Sequence, residues 1–181
     1  MATKIEIHPM PQIMGFYSQT GTSTPITNTT DELTLLDGGV GVLTVPANGF
    51  KVGDGFRVVM SGRVSCPNNA AFTLKVKSNT GLFLDSGSVD IRQTTDNPWR
   101  LDMDFIVQEI GIAGVASMKS SGMFNYIEDA SQAFAGFMFD TLENINFDTT
   151  VANTLEITGQ WGDASADRSI FSTMFNLLKV Y

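Results

Sequence analysis

The chain has 181 residues, enough for one domain with a full apolar core. Asp and Glu outnumber Lys and Arg by 19 to 11, a net charge of −8, so a phosphate backbone is repelled and nucleic acid is not an expected partner. Apolar residues at 43% against 17% charged exclude intrinsic disorder, and one cysteine (Cys66) with one histidine (His8) excludes a disulfide framework, a multi-cysteine zinc site and most histidine chemistry.

The opening residues, MATKIEIHPM, contain no apolar run of signal-peptide length, so no targeting segment is expected. No stretch approaches 18 consecutive apolar residues, which predicts no membrane insertion. Residues 1–36 are polar, rich in Thr and Ser, and punctuated by Pro9, Pro11 and Pro25. They read as an extended N-terminal arm, with at most one short edge strand over residues 14–18.

From Gly38 onward short apolar runs recur between turn residues. Residues 40–45 form one run. Phe56, Val58, Met60 and Val64 share a face of the next, and Phe72, Leu74 and Val76 alternate with Thr73, Lys75 and Lys77. Residues 82–84 and 89–91 are shorter pieces. Trp99, Leu101, Met103, Phe105 and Val107 alternate with Arg100, Asp102, Asp104 and Gln108, the cleanest period of two in the chain. Such alternation is what a half-buried strand requires, because successive side chains point to opposite faces.

Residues 115–119 and 123–127 flank Ser120-Ser121-Gly122, where a bulge or bend is expected. A short helix near residues 128–134 is an alternative reading of that region. Residues 134–139 form a further run, and Leu155, Ile157 and Trp161 line one face of another strand. The ending, SIFSTMFNLLKVY, is apolar at both parities. Strict alternation places Ile170, Met174, Leu178 and Val180 on one face and Phe171, Phe175, Leu177 and Tyr181 on the other. A strand apolar on both faces must be covered on both, by the domain core on one side and by a partner subunit or the arm on the other; a helix is the alternative reading of this segment.

About nine or ten short strands with no clear amphipathic helix predict an all-β fold, a jelly-roll β-sandwich over residues 37–181 following the arm of residues 1–36.

Catalytic chemistry finds little support. His8 sits in the Pro-flanked arm and Cys66 before Pro67, and no spacing joins them. Asp102 and Asp104 point the same way on one strand, unlike carboxylates that flank a substrate, and read as a solvated sheet face. Asp163 and Asp167 lack calcium-loop spacing. The glycines of residues 38–41 and 53–55 complete no phosphate-binding motif and read as turns. No catalytic residue, metal or cofactor is assigned, and the chain is expected not to be an enzyme.

The block LTVPANGFKVGDGF and the ending FDTTVANTLEITGQWGDASADRSIFSTMFNLLKVY resemble elements of virion structural proteins from tailed phages and large DNA viruses. The linking pieces MSGRVSCPNN, LKVKS, WRLDMDF and GVASMKSSGMFNY are similar to the same family, over residues 38–181. The resemblance implies a tumour-necrosis-factor-like jelly roll that trimerises through its chain-terminal strand, with no catalytic motif. It thereby implies a trimer-forming capsid component (minor capsid, spike or decoration protein), assembled in the host cytoplasm and located in the virion. The arm would tie it to other virion proteins. Trp161, Phe171, Phe175, Leu177 and Tyr181 are the expected subunit contact. The alternative is a receptor- or glycan-binding head of a viral fibre or tail fibre. Its loops would be residues 66–70, 94–99 and 162–168, with Asp96, Asn97, Trp99 and Arg100 as the aromatic-plus-polar set facing a host receptor or glycan.

Overall fold

Apolar and polar residues alternate along this chain, and Gly, Asn, Asp and Pro end the runs. The computed structural model describes residues 14–140 and 145–180. In chain order the first strands are β1 (Met14–Gln19), β2 (Ile26–Thr27), β3 (Leu33–Thr34), β4 (Gly39–Gly41), β5 (Thr44–Val45), β6 (Gly55–Cys66), β7 (Ala70–Lys77) and β8 (Leu82–Asp85). There follow β9 (Val89–Ile91), β10 (Thr94–Ile110), β11 (Val115–Ile127), β12 (Phe134–Asp140), β13 (Ile145–Asp148), β14 (Asn153–Thr154), β15 (Glu156–Trp161) and β16 (Ser169–Lys179). Ten of these span four residues or more, and nine of the ten lie on runs legible in the sequence; β13 falls in residues 144–150, which read as a polar stretch, and among the six pairs and triplets β4, β5 and β9 match the runs at residues 40–45 and 89–91.

The strands form an all-β, two-sheet sandwich. The larger sheet runs β12-β11-β10-β6-β16-β1-β4, with β13 also on β11 and β2 also on β16. The smaller runs β3-β15-β7-β8, with β9 also on β7, while β5 and β14 form a two-stranded clip. No helix occurs among the described residues. The region 128–133 is a tight turn, closed by the Glu128 N–H donating to the Ala133 carbonyl at 3.1 Å. β11 runs unbroken through Ser120-Ser121-Gly122, and the nearby bulge lies instead in β10, between Val107 and Glu109. Gly39 and Gly41, read as turn residues, lie in β4 against β1.

The inward stripes are those that alternation picks out. Phe56, Val58, Met60 and Val64 of β6 and Trp99, Leu101, Met103, Phe105 and Val107 of β10 are all buried. They face Phe72, Leu74 and Val76 of β7 and Ile157 and Trp161 of β15. Rings tie the sheets together: Phe83 to Phe105 at 5.5 Å between centroids, and Phe72 to Phe124 at 6.2 Å. Each such side chain contributes roughly 1.5–3 kcal/mol by leaving water.

Strand β16 departs from strict alternation. Its register against β6 shifts between Ser172 and Met174. Before this bulge the inward residues are Ile170 and Ser172; after it they are Phe175 and Leu177. The faces read from the sequence therefore swap halfway along the strand, since one extra residue inverts every later side chain. Gly62 of β6 faces the bulge, and a Cβ there would stand 1.8 Å from the Phe171 carbonyl oxygen. The Trp99 indole N–H donates to the Arg63 and Phe171 carbonyls, both at 3.1 Å, across this same point.

The boundary of the arm at residue 36 is corrected for the described residues. Residues 14–36 are woven into both sheets rather than extending from them. β1 is flanked on both sides, by β16 and β4, so it is no edge strand. Ile26 and Leu35 are fully buried. At the bulge, Ser172 Oγ donates to the Leu35 carbonyl at 2.6 Å, Ser23 Oγ accepts from the Ser172 N–H at 2.9 Å, and the Ser23 N–H donates to the Ser172 carbonyl at 3.0 Å. Glu32 clamps the outer side of the smaller sheet, accepting from Lys75 Nζ at 2.7 Å, Lys77 Nζ at 2.5 Å and Thr158 Oγ1 at 2.8 Å. The hydrogen bonds from these two ammonium groups hold its carboxyl at about 2, below the ordinary 4.5. Residues 1–13, including His8, lie outside the described residues.

Candidate functional site

Two surfaces are built well enough to act. The first is the outer face of the larger sheet, opposite the core. Register aligns its residues in rows: Met138, Met123, Asp102, Val59 and Asn176 lie side by side across five strands. A neighbouring row carries Asn125, Arg100, Ser61 and Met174, and beyond it Arg63 lies beside Phe171. Large apolar groups are wet on this face, with Phe134 84%, Met138 78%, Ile106 50% and Met174 40% exposed. Polar groups interrupt them: Arg100 Nε donates to Asp102 Oδ2 at 2.5 Å, and Arg57 stands 3.8 Å from the same carboxylate. Asp104 is exposed beside them. Asp102 is thus an ion-paired member of this sheet surface, and Asp104 an exposed one.

The expected subunit contact needs correction in most of its residues. Trp161, Phe175 and Leu177 lie under the chain's own core, at 1%, 0% and 3% exposed, and are closed to any partner. The bulge is the reason for the last two: it turns them inward and turns Met174 outward. Trp161 is held by its indole N–H donating to the Ile26 carbonyl at 3.0 Å and by the Phe72 ring at 4.9 Å. Phe171 remains half-buried on the outer face. Tyr181 lies outside the described residues.

The second surface is the loop end where β6, β9, β10, β11 and β15 begin or finish. Here the three loops expected from the sequence do converge in part. A cleft of about 350 Å³ is lined by Cys66, Pro67, Thr94, Thr95 and Asp167. A second, of about 420 Å³, is lined by Asn68, Asn69, Arg92, Gln93 and Glu128. Arg92 Nη1 donates to Glu128 Oε2 at 3.0 Å, and Ser131 Oγ donates to the other oxygen; the serine bond, then the arginine, lower the Glu128 pKa. Asp129 anchors the 94–97 loop by accepting from the Thr95 N–H and hydroxyl and from the Asn97 amide.

The aromatic-plus-polar set does not form one site. Trp99 is 1% exposed and faces the core, so its ring offers no stacking platform. Arg100, one residue on, points to the opposite face. Asp96 sits exposed at the loop with φ of 48°, its N–H donating to Ser65 Oγ and its carbonyl accepting from Arg63. Asn97 is engaged by Asp129.

Two reactive-looking groups are structural. Burial pushes the Cys66 thiol up to about 11, so it is protonated at neutral pH and is no nucleophile. Arg168 is buried, stacks over Trp161 at 5.9 Å and binds the Asp163 carboxylate, which engages one of the two aspartates considered for calcium. Among the described residues, no cluster of three or more His, Cys, Asp or Glu is placed to hold a metal.

Sequence reasoning passed over the wet side of β12. Its signal is legible in FAGFMFD, a run with large apolar residues at both parities and one charge at its end. No protein-family model, curated protein or solved structure matches this chain.

Proposed function

We propose that the chain is a structural component of a virion, a β-sandwich that assembles as a homotrimer through the outer face of its terminal strand. The observation that carries this reading is the composition of β16. Although it sits inside the sheet, it is apolar on both faces, with Ile170, Phe175 and Leu177 inward and Phe171, Met174 and Leu178 outward. Leaving the outward set wet costs about 25 cal/mol per Å², and a neighbouring copy removes that cost. The acidic remainder of the surface keeps the assembly soluble. Residues 1–13 are the part left to reach another virion protein.

The test is the solution mass of the purified chain. A trimer of the 19.6 kDa chain that Met174→Lys reduces to smaller species supports the reading. An unchanged mass in that variant overturns the contact. Retention of the chain on purified particles, read by mass spectrometry, tests the location.

A receptor-binding head is the second reading, and the two polar clefts at the loop end favour it. Their Asn, Gln, Arg and Glu side chains suit a hydroxyl-rich ligand. Glycan-array binding lost on Arg92→Ala would support it.

A further inference from the structure

Strand β12 is the outermost member of the nine-stranded sheet, and β11 is its one partner among the described strands. It contains no Lys, Arg or Pro, and its single charge, Asp140, is its last residue. Soluble proteins normally blunt such an edge with charges, proline or a bulge, because unpaired backbone groups invite another strand. The Glu128–Ala133 hydrogen bond sets the ladder, and the register continues through Tyr126–Ala135, Phe124–Phe137 and Gly122–Phe139. Antiparallel alternation then turns the N–H and C=O groups of Phe134, Gly136, Met138 and Asp140 toward the free edge.

We propose that this edge pairs with the same strand of a second copy, antiparallel, about a two-fold axis at Phe137. The strand is self-complementary in that register. On the inner side Ala135 meets the second copy's Phe139. On the outer side Gly136 meets the second copy's Met138. Small residues thus lie opposite large ones on both faces. The outward-facing backbone groups of Gly136 and Met138 fall in one hydrogen-bonded pair, and the two Phe137 residues meet in a non-hydrogen-bonded pair, where side chains approach closest. Each Asp140 ends beside a Phe134. The two aspartates lie about 20 Å apart, beyond the ~8 Å screening length of physiological salt. Sliding by two residues centres the axis on Gly136 or Met138 and leaves residues of each strand unpaired. Across the joint the outer stripe of Phe134, Met138 and Met123 becomes continuous between copies. One strand edge is a small contact, so the association is reversible and concentration-dependent. This pairing is independent of the three-fold contact proposed above.

Sedimentation velocity on the full chain, over a concentration series, tests it. The wild type populates an even number of copies: two, or six where the three-fold contact also forms. Phe134→Lys with Met138→Lys, both at exposed outer-face positions, halves that mass. Under mild oxidation Phe137→Cys gives a disulfide dimer. Ala135→Cys gives none, because its two copies stand about 13 Å apart, four residues out of register. Cys66 is buried and does not interfere. A mass unchanged by the lysine pair, or equal cross-linking of the two cysteine variants, overturns the proposal. So does a mass that falls equally on removing residues 1–13, which would make that segment the occupant of the edge. A wild-type trimer indifferent to the lysine pair refutes the edge and leaves the trimer standing. A dimer reduced to monomer does the reverse.

Discussion

Gly62→Ala asks whether the β16 bulge organises this fold. The added Cβ would stand 1.8 Å from the Phe171 carbonyl oxygen and 2.7 Å from the Ser172 Cα, both backbone atoms, so no side chain can swing away to relieve it. Real Cβ contacts stay beyond 3.0 Å, so β16 must retreat by more than an ångström at its most tightly bonded point. Such overpacking costs about 1–3 kcal/mol. The retreat also breaks the Trp99 indole bond to the Phe171 carbonyl, worth about 1 kcal/mol net. Against this, alanine restricts the unfolded chain and returns roughly 0.4–1 kcal/mol. The balance is a loss of about 1–3.5 kcal/mol, or roughly 2–14 °C in Tm for a chain of this length. Urea unfolding followed by tryptophan fluorescence measures it, since Trp99 and Trp161 both report on the core. Gly38→Ala is the control, because nothing lies within 4 Å of a Cβ there. A Gly62→Ala protein as stable as the Gly38→Ala protein would refute the account of the bulge.

Three further outcomes follow from the same contacts. Glu32, held at about 2 by Lys75 and Lys77, binds fewer protons folded than unfolded, so its contribution is complete above about pH 4.5 and fades as pH falls toward 2; Glu32→Gln flattens that part of the urea-midpoint profile against pH. Ser172→Ala strands the Leu35 carbonyl contact and the Gln19 amide contact in a buried site, costing about 1–3 kcal/mol, and raises hydrogen exchange in residues 14–36 before the rest of the larger sheet. Cys66, with its thiol raised to about 11, reacts with a thiol reagent at pH 8 only at the rate of opening, and denaturant at its midpoint accelerates labelling by orders of magnitude.

Most of the inner architecture is readable along the chain. The odd-numbered apolar residues from Trp99 to Val107, the even-numbered ones from Phe72 to Val76, and Leu155, Ile157 and Trp161 all lie inward, because a period of two is a local property of extended backbone and hydrophobic burial acts on it directly. What alternation cannot carry is a one-residue insertion. The bulge between Ser172 and Met174 depends on Gly62, more than a hundred residues earlier, and it decides that Phe175 and Leu177 face the core while Met174 faces water. Residues 14–36 look like an arm because their apolar content is sparse. Their place in both sheets rests on Ile26, Leu35 and a set of long-range hydrogen bonds to Ser172, Lys75 and Lys77. Trp99 carries no local mark of whether its ring stacks on a ligand or closes a core. The indole bonds to strands β6 and β16 decide for the core. Composition and periodicity determined that this chain is a β-sandwich and marked the inward stripes of β6, β7, β10 and β15. Register between distant strands, set on β16 by one bulge and one glycine, decided which apolar residues of that last strand are left facing outward.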